Sequence, residues 1–153
     1  MSGLALGQRE DKMIPKRILV GHDGSPEAEE AFEAALDWAA LTKARLAVVS
    51  VATPPEPPTR VETEATLEAS TEHYEQMYEG LRRRATERGV TLETRVLVGH
   101  AADQLLRLAA DTGVDLIVVG HKGRSGVRKW LFGSTSQRVV SYATCSVLVV
   151  RRK

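Results

Sequence analysis

The chain has 153 residues, enough for one domain that buries roughly two thirds of the surface its unfolded form would expose. Its 21 basic and 20 acidic residues are interspersed and leave a net charge of +1, which argues against wholesale attraction to nucleic acid or to an anionic membrane. The single cysteine, Cys145, excludes an internal disulfide framework and fits a reducing compartment, so a cytoplasmic protein is expected.

The opening stretch MSGLALGQREDKMIPKRILV has a short apolar patch broken by Gln8-Arg9-Glu10-Asp11-Lys12 and reads as neither a signal peptide nor a membrane span. Residues 1–14 read as an N-terminal extension, with residues 1 to 12 expected to be dispensable, and 15–153 as the folded domain. RILVGH, ending near His22, is the first expected strand. Ser25 then stands as an N-cap with Pro26 at the first helical position, and Glu27, Glu29 and Glu30 complement the helix dipole. The buried stripe of that helix is Phe32, Ala35, Leu36 and Ala39.

RLAVVSVA, ending near Ala52, is the second strand. TPPEPPTRVETEAT, residues 53 to 66, has four prolines and predicts an extended surface loop. A second helix follows with Leu67, Tyr74, Met77, Leu81 and Ala85 on one face and a stop at Gly89. TLETRVLVG is the third strand, ending at Gly99. A third helix from about Ala102 uses Leu105, Leu106 and Ala109 and stops at Gly113. VDLIVVG, ending at Gly120, is the fourth strand, a fourth helix follows Gly133, and SVLVVR, ending at Arg151, closes the chain as the fifth strand. Most of these strands are nearly continuous apolar runs, which suits strands covered on both faces. Strand and helix alternating throughout argue a single-domain α/β fold, a parallel sheet with right-handed crossovers.

The segment VVGHKGRSGVRKWLFGSTSQRVV, Val118 to Val140, places glycines at 120, 123, 126 and 133 where a strand hands over to its helix. In an open parallel sheet, ligands settle beyond the carboxyl ends of the strands, where helix N-termini present unpaired N–H groups. Glycine lets backbone approach an anion closely. Lys122, Arg124, Arg128 and Lys129 add four positive charges between those glycines, which together describe a phosphate cradle. The plain alternative is that glycines after strands make turns and basic loop residues are solvated. The helix terminus after the first strand is rich in glutamates, which repel phosphate, so the anion is assigned to 120–136 and Asp23 is left to bind ribose hydroxyls or a metal ion. There is no Gly-Lys-Ser/Thr of a Walker loop, and Gly120-x-x-Gly123 lacks the leading Gly-x-Gly of a dinucleotide fingerprint.

Gly120-His121-Lys122-Gly123, nine residues from Arg124 to Phe132, and then Gly133-Ser134 resembles the nucleotide signature of the ATP-binding branch of the universal stress protein family. RILVGHDGSPEAEEAF is similar to that family's opening strand and Asp-Gly-Ser turn, and ATCSVLVVR to its closing segment, so the resemblance covers about residues 15 to 151. It implies a Rossmann-like open five-stranded sheet in the order 3-2-1-4-5 with helices on both faces and a switch point between strands one and four. It implies ATP with Mg²⁺ or Mn²⁺ as the ligand, with Asp23 on the ribose or the metal and the backbone of Val51 on the adenine edge. Gly120 and Gly123 match the glycines that line ribose and phosphates, and Gly133, Ser134 and Thr135 the stretch that holds them. The sequence departs from the pattern in three places: at Gly21-His22, at His121, and at Ser146 in place of a usual proline.

Other candidates have simpler roles. His22, His100 and His121 each follow a strand, and His22 and His121 with Asp23 form a conceivable transition-metal set, although loop histidines are commonly unliganded. Cys145 reads as a packed thiol. Trp38 reads as helix packing, Trp130 as loop or interface packing, and the glutamate-rich helix faces as solvated surface. Cations and Asp23 are present but no separate base is apparent, so a non-catalytic, nucleotide-dependent regulatory or stress-response protein is favoured over a slow ATPase or phosphotransferase. The fifth strand lies at the sheet edge in the implied order. Its Val147, Leu148, Val149 and Val150 are apolar without a charge or proline between them, which predicts a homodimer through that strand.

Overall fold

The computed structural model describes residues 14–54, 56, 59–121 and 134–152. Five strands, β1 (Arg17–Gly21), β2 (Arg45–Ala52), β3 (Leu92–Val98), β4 (Leu116–Gly120) and β5 (Ser146–Val150), form one parallel sheet in the order β3-β2-β1-β4-β5. Four helices connect them: α1 (Pro26–Thr42), α2 (Arg60–Glu87), α3 (Ala101–Thr112) and α4 (Ser134–Tyr142). The fold class and strand order expected from the sequence are those observed.

The strand order explains where the helices lie. β1 to β2 to β3 runs outward in one direction, and the chain then returns to the far side of β1 for β4 and β5. With crossovers of one hand, reversing direction moves the following helices to the opposite face of the sheet. Accordingly α1 and α2 pack on one face, burying Ile18, Val20, Leu46, Val48 and Val118 beneath Phe32, Leu36, Tyr78 and Leu81. On the other face, α3 and α4 cover Leu19, Val49, Ile117 and Val119 with Leu105, Ala109 and Val139. Successive strand side chains point to opposite faces, and because both faces are covered, both sets are apolar.

Local chemistry sets the helix starts. The Ser25 hydroxyl accepts from the Ala28 N–H at 3.1 Å, and Pro26 follows directly at the first helical turn. The stripe of Phe32, Ala35, Leu36 and Ala39 is buried as its spacing predicts. α2 corrects the predicted loop. It starts at Arg60, inside the stretch 53–66, because Thr59 and Glu62 form a reciprocal capping box. The Thr59 side chain accepts from the Glu62 N–H at 3.2 Å, and the Glu62 carboxylate accepts from the Thr59 N–H at 3.1 Å and hydroxyl at 2.7 Å. Those bonds hold the Glu62 carboxyl below its ordinary range. Leu67, expected on the packed face, is 41% exposed, because α2 meets the sheet only from Tyr74 onward. Trp38, expected to pack, is likewise exposed at 44%. Trp130 and residues 1–13 lie outside the described residues.

Candidate functional site

The carboxyl ends of the strands gather His22 and Asp23 after β1, Val51 near the end of β2, Gly99 and His100 after β3, and Gly120 and His121 at the end of β4. Ser134 and Thr135 open α4, with Ser134 exposed and Thr135 half-buried. Asp23, Val51, Gly120, Ser134 and Thr135 are therefore placed by element ends, whereas Gly123, Gly126, Gly133 and the cations at 122, 124, 128 and 129 lie outside the described residues.

The turn after β1 is fixed by its own side chains. One Asp23 carboxylate oxygen accepts from the Ser25 N–H at 3.0 Å, and the other makes no hydrogen bond among the described residues. A hard anionic oxygen left available at a strand end is a fitting donor for Mg²⁺ or Mn²⁺, or for a pair of hydroxyls. Among the described residues, the backbone of β2 runs past the end of β1 at the same edge. The Val49 carbonyl accepts from the His22 N–H at 2.9 Å, so Val49 faces β1. Backbone polar groups alternate between the two sides of a strand, so Val51 turns its N–H and C=O the same way, beyond the last β1–β2 pair at Gly21 and Val49. Ala52, one residue on, faces β3 and accepts from the Gly99 N–H at 2.9 Å. Val51 thus presents a donor and an acceptor side by side past the end of β1.

Gly120 has a packing reason to be glycine. A Cβ built there would stand 2.6 Å from the Glu27 carbonyl oxygen and 2.7 Å from its carbon, so the end of β4 touches the first turn of α1 backbone to backbone. At Gly21, one of the departures from the family pattern, a Cβ would meet Leu105 Cδ1 at 2.8 Å, and glycine there admits α3.

His22 is buried rather than displayed at the edge. Its Nδ1 accepts from the Gly24 N–H at 3.1 Å and its Nε2 lies 3.1 Å from the Glu29 carboxylate. Only the neutral ring with the proton on Nε2 satisfies both bonds. Burial pushes its pKa below 6.5, and Glu29 opposes that effect without overcoming it. With both nitrogens engaged, His22 has none for a metal, and among the described residues no three His, Cys, Asp or Glu side chains converge on a cation site. His121 is buried with its backbone N–H donating to the Val150 carbonyl at 2.9 Å, and His100 stands at the N-cap position of α3 without a side-chain capping bond, its exposed ring 3.6 Å from Glu56. Cys145 packs beside the α3–α4 core, where burial pushes its thiol pKa up.

The glutamates of α1, read from sequence as solvated, are partly committed. Glu29 and Glu33 both pair with Arg84 of α2, and the Arg84 guanidinium lies 4.9 Å over the Phe32 ring. Arg88 repeats the contact one turn on, 2.9 Å from Asp37. The signal was the Glu29/Glu33 spacing of four on α1 with basic residues at 82 to 84 on α2, but nothing in one chain says which two helices meet.

A doubly wound parallel sheet with a turn carboxylate at its strand ends defines an open α/β protein of the class whose ligands settle beyond the carboxyl ends of the strands. Residues 15–151 match the model of the universal stress protein family, and the chain belongs to that family. Universal stress protein YxiE of Bacillus subtilis is 34% identical over 150 residues, covering 88% of this chain and 98% of its own. The structure of universal stress protein UspA from Lactobacillus plantarum superposes with a TM-score of 0.77 at 28% identity, over 89% of this chain and 97% of that one. A universal stress protein in complex with cAMP superposes with a TM-score of 0.70 at 29% identity, over 90% of this chain and 97% of that one.

Proposed function

We propose that this chain is an ATP-binding, non-catalytic regulatory protein of the stress response, cytoplasmic and homodimeric through β5, in which nucleotide occupancy biases loop order or assembly. The observation that carries the nucleotide reading is the open backbone of Val51. Its adjacent N–H and C=O match the amino donor and ring-nitrogen acceptor of an adenine edge, and a related structure holds an adenine nucleotide. Asp23 has one oxygen left for ribose hydroxyls or for Mg²⁺ or Mn²⁺. Gly120, Gly123, Gly133, Ser134 and Thr135 belong to the segment assigned to the phosphates, where glycines and neighbouring cations suit charge-assisted bonds to several oxygens.

The non-catalytic part rests on the chemistry of the described residues at the edge. Phosphoryl transfer needs a group to orient the attacking oxygen. His22, at that edge, has both nitrogens engaged, and Cys145 stands before the start of β5 at the opposite end of the sheet, so neither is poised there as base or nucleophile. The edge position of β5, with Val147 to Val150 only half-buried, supports self-pairing.

Calorimetry with ATP and Mg²⁺ tests the binding. Micromolar to sub-millimolar affinity is expected, with AMP weaker, and Gly123→Val should abolish it in a folded protein by placing a branched side chain where phosphates approach. Unchanged affinity in that variant contradicts the assignment. Turnover should fall far below about one per second. Faster sustained phosphate release, lost on Asp23→Ala, would show an enzyme instead.

A further inference from the structure

At the other end of the sheet, where the strands begin, a cleft of about 230 Å³ opens beside the last turn of α3. It exists because α3 packs over β1 and β2, while on β3 the alternate residues Glu93 and Arg95 stay exposed. Its floor is apolar, with Leu19 and Ala47 from the sheet and Leu108 and Val114 from α3 and its exit. Its rim is basic, with Arg17, Arg45 and Arg95 against one carboxylate, Glu93.

The three arginines differ in what they already hold. Arg17 donates to the Thr112 carbonyl at 2.6 Å and so caps the negative end of α3. Arg95 is paired with Glu93, Nε at 3.0 Å and Nη at 2.9 Å. Arg45 has no hydrogen bond or ion pair from its side chain among the described residues, while its backbone N–H, bonded to the Lys16 carbonyl at 2.9 Å, fixes its place at the start of β2. Asp115 stands at the foot of β4, two strands away from β2, where its carboxylate accepts from the backbone N–H groups of Lys16 and Arg17. The cleft therefore combines an apolar floor, which gains by shedding water, with one guanidinium at its mouth that no described residue pairs.

We infer that the foot of the sheet is a second ligand site, for a small amphipathic organic anion with an apolar body of several carbons ending in a carboxylate. The volume lies just below the range of about 300–1,000 Å³ usual for ligand pockets, which restricts the ligand to a small one. The body covers Ala47 and Leu108, and the carboxylate meets Arg45 in a charge-assisted fork. This site shares no residue with the carboxyl edge and stands whether or not nucleotide binds there.

Titration of the full chain with sodium octanoate, followed by amide NMR, tests it. Saturable shifts are expected at Leu46, Ala47 and Thr91, with Asp23 and Ser134 unmoved, and octanol should bind at least about tenfold more weakly for want of the charge. Arg45→Glu should weaken octanoate by about tenfold or more. Ala47→Leu fills the floor, leaves every charge in place and should also block binding, so it decides if the first variant fails to fold. Octanoate that leaves these amides unmoved, octanol that matches octanoate, or wild-type affinity in a folded variant would overturn the inference.

Discussion

Gly120 shows how one missing Cβ decides how two elements meet. Its missing Cβ lets the end of β4 meet the Glu27 backbone, so Gly120→Ala is expected to destabilise the fold by about 1–3 kcal/mol, read as a lower urea midpoint with an unchanged slope. A midpoint equal to wild type would show that the α1 turn gives way freely. His22 acts through protonation. Its folded pKa lies below the unfolded value of 6.5, so the unfolded chain binds the extra proton first. The stability contributed by the neutral ring is present above about pH 6.5 and is lost as pH falls from there toward the folded pKa. Urea midpoints measured between about pH 7.5 and pH 5.5 should therefore fall more steeply for wild type than for His22→Gln. Equal slopes would remove His22 from the pH response.

At the scale of elements, α2 is the informative case. Its first turns lie away from the sheet, with Val61 76% exposed, so the Thr59–Glu62 box rather than packing starts the helix. Thr59→Ala should remove about 1 kcal/mol of local helix stability, seen as faster amide exchange over residues 60–66 with little change in global unfolding. Unchanged exchange would mean that another contact holds the turn. The strands and the α1 stripe were legible because continuous apolar runs and a 3.6-residue period leave a mark in one chain. The start of α2 was hidden by its neighbours, since four prolines outweighed a Thr-x-x-Glu signal in the same stretch. The position of Asp23 after β1 was legible for the same reason as the strand itself. The Glu29–Arg84–Glu33 contact and the burial of His22 were not, because they depend on which helices share a face, and that follows from the strand order.

For the whole molecule, β5 pairs only with β4 among the described residues, and a second copy on its other side would close the contact about a two-fold axis. Light scattering at tens of micromolar should report a dimer for wild type and a monomer for Val149→Lys, with circular dichroism showing the variant folded. A folded variant that dimerises equally well would move the interface elsewhere. The reversal of winding beside β1 opens a crevice at the carboxyl edge of the parallel sheet, the place proposed for an adenine nucleotide. Amide NMR during a titration with ATP and Mg²⁺ tests this most directly. Saturable shifts should concentrate at Asp23, Val51, Ser134 and Thr135 and leave Arg45 and Thr91 at the foot of the sheet unmoved. Shifts confined to the foot, or none at millimolar ATP, would contradict it.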